Sequence, residues 1–323
     1  MTRVAVTGAT GFIGANLARR LISDGDEVHL LVRPGHDPWR IADLAGTVRV
    51  HEVDLTDAVQ VRSALAAARP DRIFHLAAYG AYAHQQEPAA SVTTNVLGTI
   101  VLLEAARSAG VSAFVYAGTS SEYGFADHAP AEDERCHPNS LYAVTKLAAT
   151  EYCAYVARRD GARVVSLRLY SAYGPWEEPT RLVPQLILAG LEGRLPPLVD
   201  PTIARDLVHV DDVCEAFVVA AGAERVPSTV YNVGTGTQTT LREIVDAARR
   251  TMRISAEPRW GSMPDRAWDT GVWVADPRRI EQDLGWRART SFADGLARTV
   301  DWLRDPAIRS LYTQRLGASR ASR

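Results

Sequence analysis

Cysteine is scarce in this 323-residue chain, with Cys136, Cys153 and Cys214 the only three. Their odd number, and the lack of CxxC or Cys/His metal spacing, exclude a disulfide framework and a cysteine-based metal site. Reduced thiols in a cytoplasmic protein are the expectation, with Cys136-His137 in a loop. An excess of one charge is also missing: the net charge is −2, with no basic surplus to suggest nucleic acid and no acidic block. No apolar run approaches the about 18 residues of a membrane span. The first apolar run, from Val4, breaks at glycines instead of forming a signal peptide. Repeats and low-complexity linkers are absent. What remains is a globular composition, 46% hydrophobic and 23% charged, long enough for one large domain or two smaller ones.

In the first half, β-branched runs alternate with amphipathic stretches. Strands are expected at 4–7, 28–32, 48–53, 72–76, 114–117 and 164–169, with helices at 15–23, 57–68 and 94–109. This rhythm predicts an α/β fold with a doubly wound, mostly parallel sheet. The near-continuous apolar strands fit burial on both faces. Beyond Tyr170, Pro and Gly become common. Helices are then expected at 212–221 and 241–251, the second preceded by possible threonine caps, with a strand at 230–233.

Gly8, Gly11 and Gly14 follow the first strand and open a helix. In that context they suit a dinucleotide pyrophosphate: a tight turn, close backbone approach, and helix–sheet packing. Thr10, Phe12 and Ile13 share the turn. At the end of the second strand an NAD ribose calls for a carboxylate, whereas this chain has Val32 and then Arg33. A guanidinium suits a 2′-phosphate, so NADP(H) is favoured over NAD(H). Asp54 and Leu55 end the third strand near the expected adenine, and Leu76, Ala77 and Ala78 end the fourth, where small residues admit a cofactor.

Tyr142 and Lys146 lie four residues apart among good helix formers, so they share a face. An ammonium beside a phenol favours phenolate, which equips Tyr142 to exchange a proton while hydride moves at a nicotinamide. Thr119, at the end of an upstream strand, is the expected hydroxyl partner of the reacting oxygen.

Taken together, TGATGFIG (7–14), HLAA (75–78), TTNVLGT (93–99), AGTSSEYG (117–124), YAVTK (142–146), LRLYSAYGP (167–175), ARDLVHVDD (204–212) and YNVGTG (231–236) resemble the extended short-chain dehydrogenase/reductase family, in its nucleotide-sugar branch. The resemblance implies a Rossmann domain over 1–170 that takes back about 206–235. It also implies a smaller α/β nucleotide-sugar lobe from 171–205 and 236–312; a disordered tail is expected at 313–323. It implies catalysis by Thr119, Tyr142 and Lys146, with Asn95, Tyr142, Lys146 and Tyr170 also at the cofactor. Tyr79, Ser120, Ser121, Glu122, Ser171, Arg181, Arg205 and Arg266 are the substrate contacts it suggests, the last two arginines for a diphosphate. It further implies a homodimer built on helices near 95–109 and 142–158.

Two departures bear on the reaction. Ser171 stands where the family often has asparagine. Ser120-Ser121 stand where sugar 4,6-dehydratases carry Asp-Glu, with Glu122 one place late. A one-residue shift on a strand reverses the side chain's face. The reading favours an NADPH-dependent 4-ketoreductase of an NDP-4-keto-6-deoxyhexose. A redox-neutral NAD-dependent 4-epimerase, a dehydratase and a non-catalytic dinucleotide sensor are the alternatives.

Overall fold

Strand order follows from where the apolar runs pair. In the computed structural model, which describes residues 1–81, 85–263 and 270–321, seven strands form one sheet in the order β10-β6-β5-β4-β1-β2-β3. The elements, in chain order, begin β1 (Arg3–Thr7), α1 (Phe12–Ser23), β2 (Glu27–Val32), β3 (Arg49–Glu52), α2 (Ala58–Ala68) and β4 (Arg72–His75). Next come α3 (Pro88–Val92), a π turn (Thr93–Leu97), α4 (Gly98–Ser108), β5 (Ala113–Thr119), α5 (Leu141–Asp160) and β6 (Val164–Leu169). Then follow β7 (Ser171–Tyr173), α6 (Leu182–Gly190), β8 (Ala204–Arg205), β9 (Leu207–His209), α7 (Val210–Gly222) and β10 (Val230–Val233). The chain closes with β11 (Thr239–Thr240), α8 (Leu241–Met252), α9 (Arg278–Leu284), α10 (Phe292–Leu303) and α11 (Pro306–Ala321).

All pairings within the large sheet are parallel. One face packs on α1 and α7 through Leu17, Leu21, Val213 and Phe217; the other packs on α2, α4 and α5 through Leu65, Leu102, Ala149 and Val156. Strand order reverses between β1 and β4, so the carboxyl ends of those strands open a crevice, the usual ligand position in such sheets. A third core, with Leu186, Ile187, Ile244, Val245, Leu296 and Tyr312, joins α6, α8, α10 and α11.

Helix α1 starts three residues before the expected Ala15, because Gly11 caps it. The threonine cap of α8 is Thr240, whose hydroxyl and Glu243 form a capping box. The stretch Pro88–Ser108 is one continuous helical run, long and apolar enough to cross a membrane by length and composition alone. Its α4 part packs on α2 and α5 as a core helix, with Leu102, Leu103 and Ala106 buried.

Where a disordered tail is expected, residues 313–321 continue α11, and the preceding turn is anchored: Tyr312 is wholly buried and donates its hydroxyl to the Glu177 carbonyl at 2.6 Å. Its ring meets Trp39 and Trp302 edge-on, and Arg315 pairs with Asp37. Tyr312→Ala is therefore expected to cost about 3–5 kcal/mol of stability, the range for removing a buried aromatic. An unchanged urea midpoint would mean that α11 is dispensable.

Candidate active site

The glycine turn is packed where it meets protein and open where it faces the crevice. Gly8 has φ +70°, and a Cβ there would lie 2.5 Å from the Leu76 carbonyl carbon and 2.6 Å from the Ala77 nitrogen. A Cβ on Gly14 would lie 2.3 Å from the Gly8 carbonyl oxygen. Gly11 is less confined: its N–H donates to the Gly8 carbonyl at 2.9 Å, and that oxygen is the sole neighbour a Cβ would meet. No side chain caps α1 and no acid lies in its first turn, which leaves its terminal N–H groups to an anion. The loop is braced from outside. Buried Arg40 donates to the carbonyls of Thr10 (3.2 Å) and Trp176 (2.8 Å), and Asn16 donates to those of Phe12 (2.9 Å) and Pro175 (2.8 Å). Phe12 and Ile13 are half-buried beside it. This cradle fits a dinucleotide pyrophosphate.

Beyond the turn, β2 ends in buried Val32 and exposed Arg33. Asp54 is exposed and accepts the N–H and hydroxyl of Thr56, while Leu55 packs near Gly98. Leu76, Ala77 and Ala78, all half-buried, border the glycine turn at the end of β4.

A buried chain of hydrogen bonds runs from that border to the catalytic helix. The N–H groups of Leu76 and Ala77 donate to the Thr7 hydroxyl at 3.2 and 3.1 Å, and Thr7 Oγ1 lies 2.7 Å from His75 Nδ1. On the far side, His75 Nε2 lies 2.9 Å from Thr99 Oγ1, which donates to the Asn95 carbonyl at 2.7 Å. Thr99 has spent its proton, so His75 donates from Nε2 and accepts Thr7's proton at Nδ1. The surroundings fix one neutral tautomer. Burial, with Lys146 nearby, pushes the His75 pKa down to about 3. Asn95 then pairs with both backbone groups of Tyr79 at 2.8 Å and donates to Thr145 Oγ1 at 2.9 Å, and Thr145 donates to the Tyr142 carbonyl.

Asn95, expected at the cofactor, is wholly buried, and its amide ties Tyr79 to Thr145. Thr7, His75, Thr99 and Thr145 carry no role in the sequence reading. Their signal was polarity inside apolar strands and helices, where an unpaired group is costly.

The elements that carry the catalytic candidates, β5 and α5, pack against each other. Thr119 ends β5 and Ser140 caps α5 just before Tyr142, whose ring neighbours Gly80 beyond β4. Lys146 is 1% exposed, and its ammonium lies 4.1 Å from the centre of the Tyr116 ring. Burial pushes its pKa down to about 8, against the opposing pull of the Glu122 charge.

Glu122, expected at the substrate, is wholly buried. Its Oε1 accepts the Thr119 N–H (2.9 Å) and Thr150 hydroxyl (3.0 Å), and its Oε2 accepts Arg168 Nε (2.8 Å). Ser120 and Tyr170 line a small pocket with His128 and Trp273; Ser121 and Tyr79 are half-buried. Arg205 Cζ lies 5.8 Å from the Trp273 ring, and Ser171 joins β9 through the Asp206 carbonyl. Exposed Arg181 reaches the Ala81 carbonyl at 3.2 Å. Arg266 lies outside the described residues. Among the described residues no His/Cys/Asp/Glu group has metal-binding arrangement.

Residues 4–234 match the model of the NAD dependent epimerase/dehydratase family. The chain belongs to that family. It is therefore an extended short-chain dehydrogenase/reductase enzyme of the nucleotide-sugar branch, with a Rossmann-like sheet. It is 33% identical to a UDP-glucose 4-epimerase of Mycolicibacterium smegmatis, over 94% of this chain and 99% of the relative. It is 32% identical to a dTDP-glucose 4,6-dehydratase of Streptomyces antibioticus, over 93% and 92%. The Thermus thermophilus UDP-glucose 4-epimerase, solved in complex with NAD, superposes with TM-score 0.83 at 31% identity, over 94% and 99%.

Folded, His75 stays neutral down to about pH 3, but unfolded it protonates near its ordinary 6.5. The unfolded state therefore takes up protons first as pH falls. Stability declines from about pH 6.5 toward 3. Burial lowers His29 and His51 as well, which adds to the same trend. His75→Gln keeps an acceptor and a donor but does not titrate. It should flatten the fall in urea midpoint between pH 7 and 5; an unaltered slope would contradict the assignment.

Proposed function

We propose that the chain is a cytoplasmic NADP(H)-dependent reductase of an NDP-4-keto-6-deoxyhexose. The observation that carries the cofactor choice is the end of β2: Val32 is buried, Arg33 is exposed, and no carboxylate occupies either position. The guanidinium there suits a 2′-phosphate, and a carboxylate that would repel one is missing. With its pyrophosphate held at the Gly8–Gly14 turn, the dinucleotide would supply hydride from its nicotinamide.

The chain's own groups handle the oxygen. Thr119 and Tyr142 hydroxyls hold the C4 carbonyl, and Tyr142 transfers its proton to that oxygen as hydride reaches carbon. The Lys146 ammonium below favours the phenolate left behind. Arg205 and Arg266 are the proposed grip on the diphosphate. Elimination is disfavoured: Ser120 and Ser121 bring no acid or base, and Glu122 is buried in its pairing with Arg168.

A redox-neutral 4-epimerase with bound NAD is the second reading, supported by the near full-length likeness to the mycobacterial 4-epimerase. A homodimer is proposed as well, because Val92, Leu97, Leu141, Val144 and Tyr155 are exposed apolar residues on the α3–α4 run and on α5.

Denaturing the purified protein, identifying any released dinucleotide and following NADPH with NDP-4-keto-6-deoxy sugars separates the two readings. Stoichiometric NADPH oxidation is expected. Tightly held NAD and no net oxidation would sink the reductase. Tyr142→Phe should lower kcat about 10²–10⁴-fold, the scale of general acid catalysis; full turnover would remove the catalytic assignment. Arg33→Asp should weaken NADP(H) by about tenfold or more, the worth of one charge-assisted contact, and improve NAD(H). Unchanged preference would contradict the role given to Arg33.

A further inference from the structure

Glu122 joins the strand end that carries Thr119 to helix α5 and strand β6 without reaching the solvent. It sits in the single turn after β5, and its carboxylate accepts the Thr119 N–H at 2.9 Å while the Thr119 hydroxyl accepts the Ser121 N–H at 3.2 Å. This reciprocal cap fixes the strand end that carries the Thr119 hydroxyl. The same carboxylate oxygen accepts the Thr150 hydroxyl at 3.0 Å, one helical turn beyond Lys146 on α5. The other accepts Arg168 Nε from β6 at 2.8 Å. A Cβ on Gly118 would come within 2.9 Å of Oε1, so β5 leaves room for this side chain.

We propose that Glu122 is a positioning residue that supplies the counter-charge keeping Lys146 an ammonium and holds Thr119 at the strand end. The proposal rests on the catalytic reading of Thr119, Tyr142 and Lys146. The groups facing Lys146 leave this task to Glu122. From β4 comes neutral His75, and from β5 the neutral Tyr116 phenol; Cys153 lies on α5 itself, its thiol pushed up to about 12 by burial, and Tyr142 lies one turn earlier. Glu122, from the turn after β5, is the acid among them, paired with Arg168 at 2.8 Å, and it opposes the burial that lowers Lys146. Arg168 is held by Glu122, the Tyr123 hydroxyl and the Glu132 carbonyl.

Lys146 is the only lysine in the chain. Incorporating [ε-13C]lysine into the full-length protein therefore yields one side-chain resonance, whose titration reports Lys146 directly with no substrate needed. The wild-type midpoint is expected near pH 8. Glu122→Gln keeps acceptors for Thr119 and Thr150 but removes the charge, and should move the midpoint down by about one pH unit. Arg168→Gln keeps the Glu122 charge and should not lower it. The double variant Glu122→Gln/Arg168→Gln buries neither charge alone, so it stands in if the single variant does not fold, and it should also titrate lower. An unmoved midpoint in folded Glu122→Gln or in the double variant, or an equal fall in Arg168→Gln, would overturn the proposal. Full turnover in Tyr142→Phe would instead overturn the catalytic reading and leave this titration intact.

Discussion

The site depends on one buried imidazole. His75 accepts from Thr7 on one side and donates to Thr99 on the other, so β1, the end of β4 and the helical run through Asn95 are held in a single arrangement. Buried polar groups without partners are costly, which makes such a chain cooperative: each member is stable because the next one is satisfied. Asn95 carries the arrangement to Tyr79 and, through Thr145, to the backbone of Tyr142. The π turn places Asn95 at this junction, in keeping with the occurrence of such turns at functional sites. The glycine turn and the catalytic helix are thus parts of one hydrogen-bonded frame.

Charge is distributed within that frame by burial. Lys146 is enclosed and so is close to losing its proton, while the Glu122–Arg168 pair is enclosed but internally compensated. On the proposed reading, this pairing removes Glu122, one residue displaced from the dehydratase pattern, as an elimination acid.

Local patterns made much of the fold readable. Val164–Leu169 and Val230–Val233 are strands over the expected residues, and the glycine turn lies between strand and helix as anticipated. What escaped depended on distant partners. Thr7 and His75 are 68 residues apart, and Asn95 and Thr145 are 50 apart. The small basic tail read as frayed because nothing near it in sequence announces Trp39 and Trp302, against which Tyr312 packs. Glu122 read as a substrate contact because its neighbours carry the motif, whereas Arg168, 46 residues on, decides where its carboxylate goes.

In the proposed reaction, hydride passes from the cofactor to C4 of a nucleotide sugar and stays there, while Tyr142 supplies the proton. Supplying NADPH deuterated at the transferable C4 position together with an NDP-4-keto-6-deoxyhexose, and locating the label by mass spectrometry and NMR, tests this directly. One deuterium at sugar C4 per NADPH consumed is predicted. Unlabelled sugar product, formed with the cofactor's label retained, would contradict it.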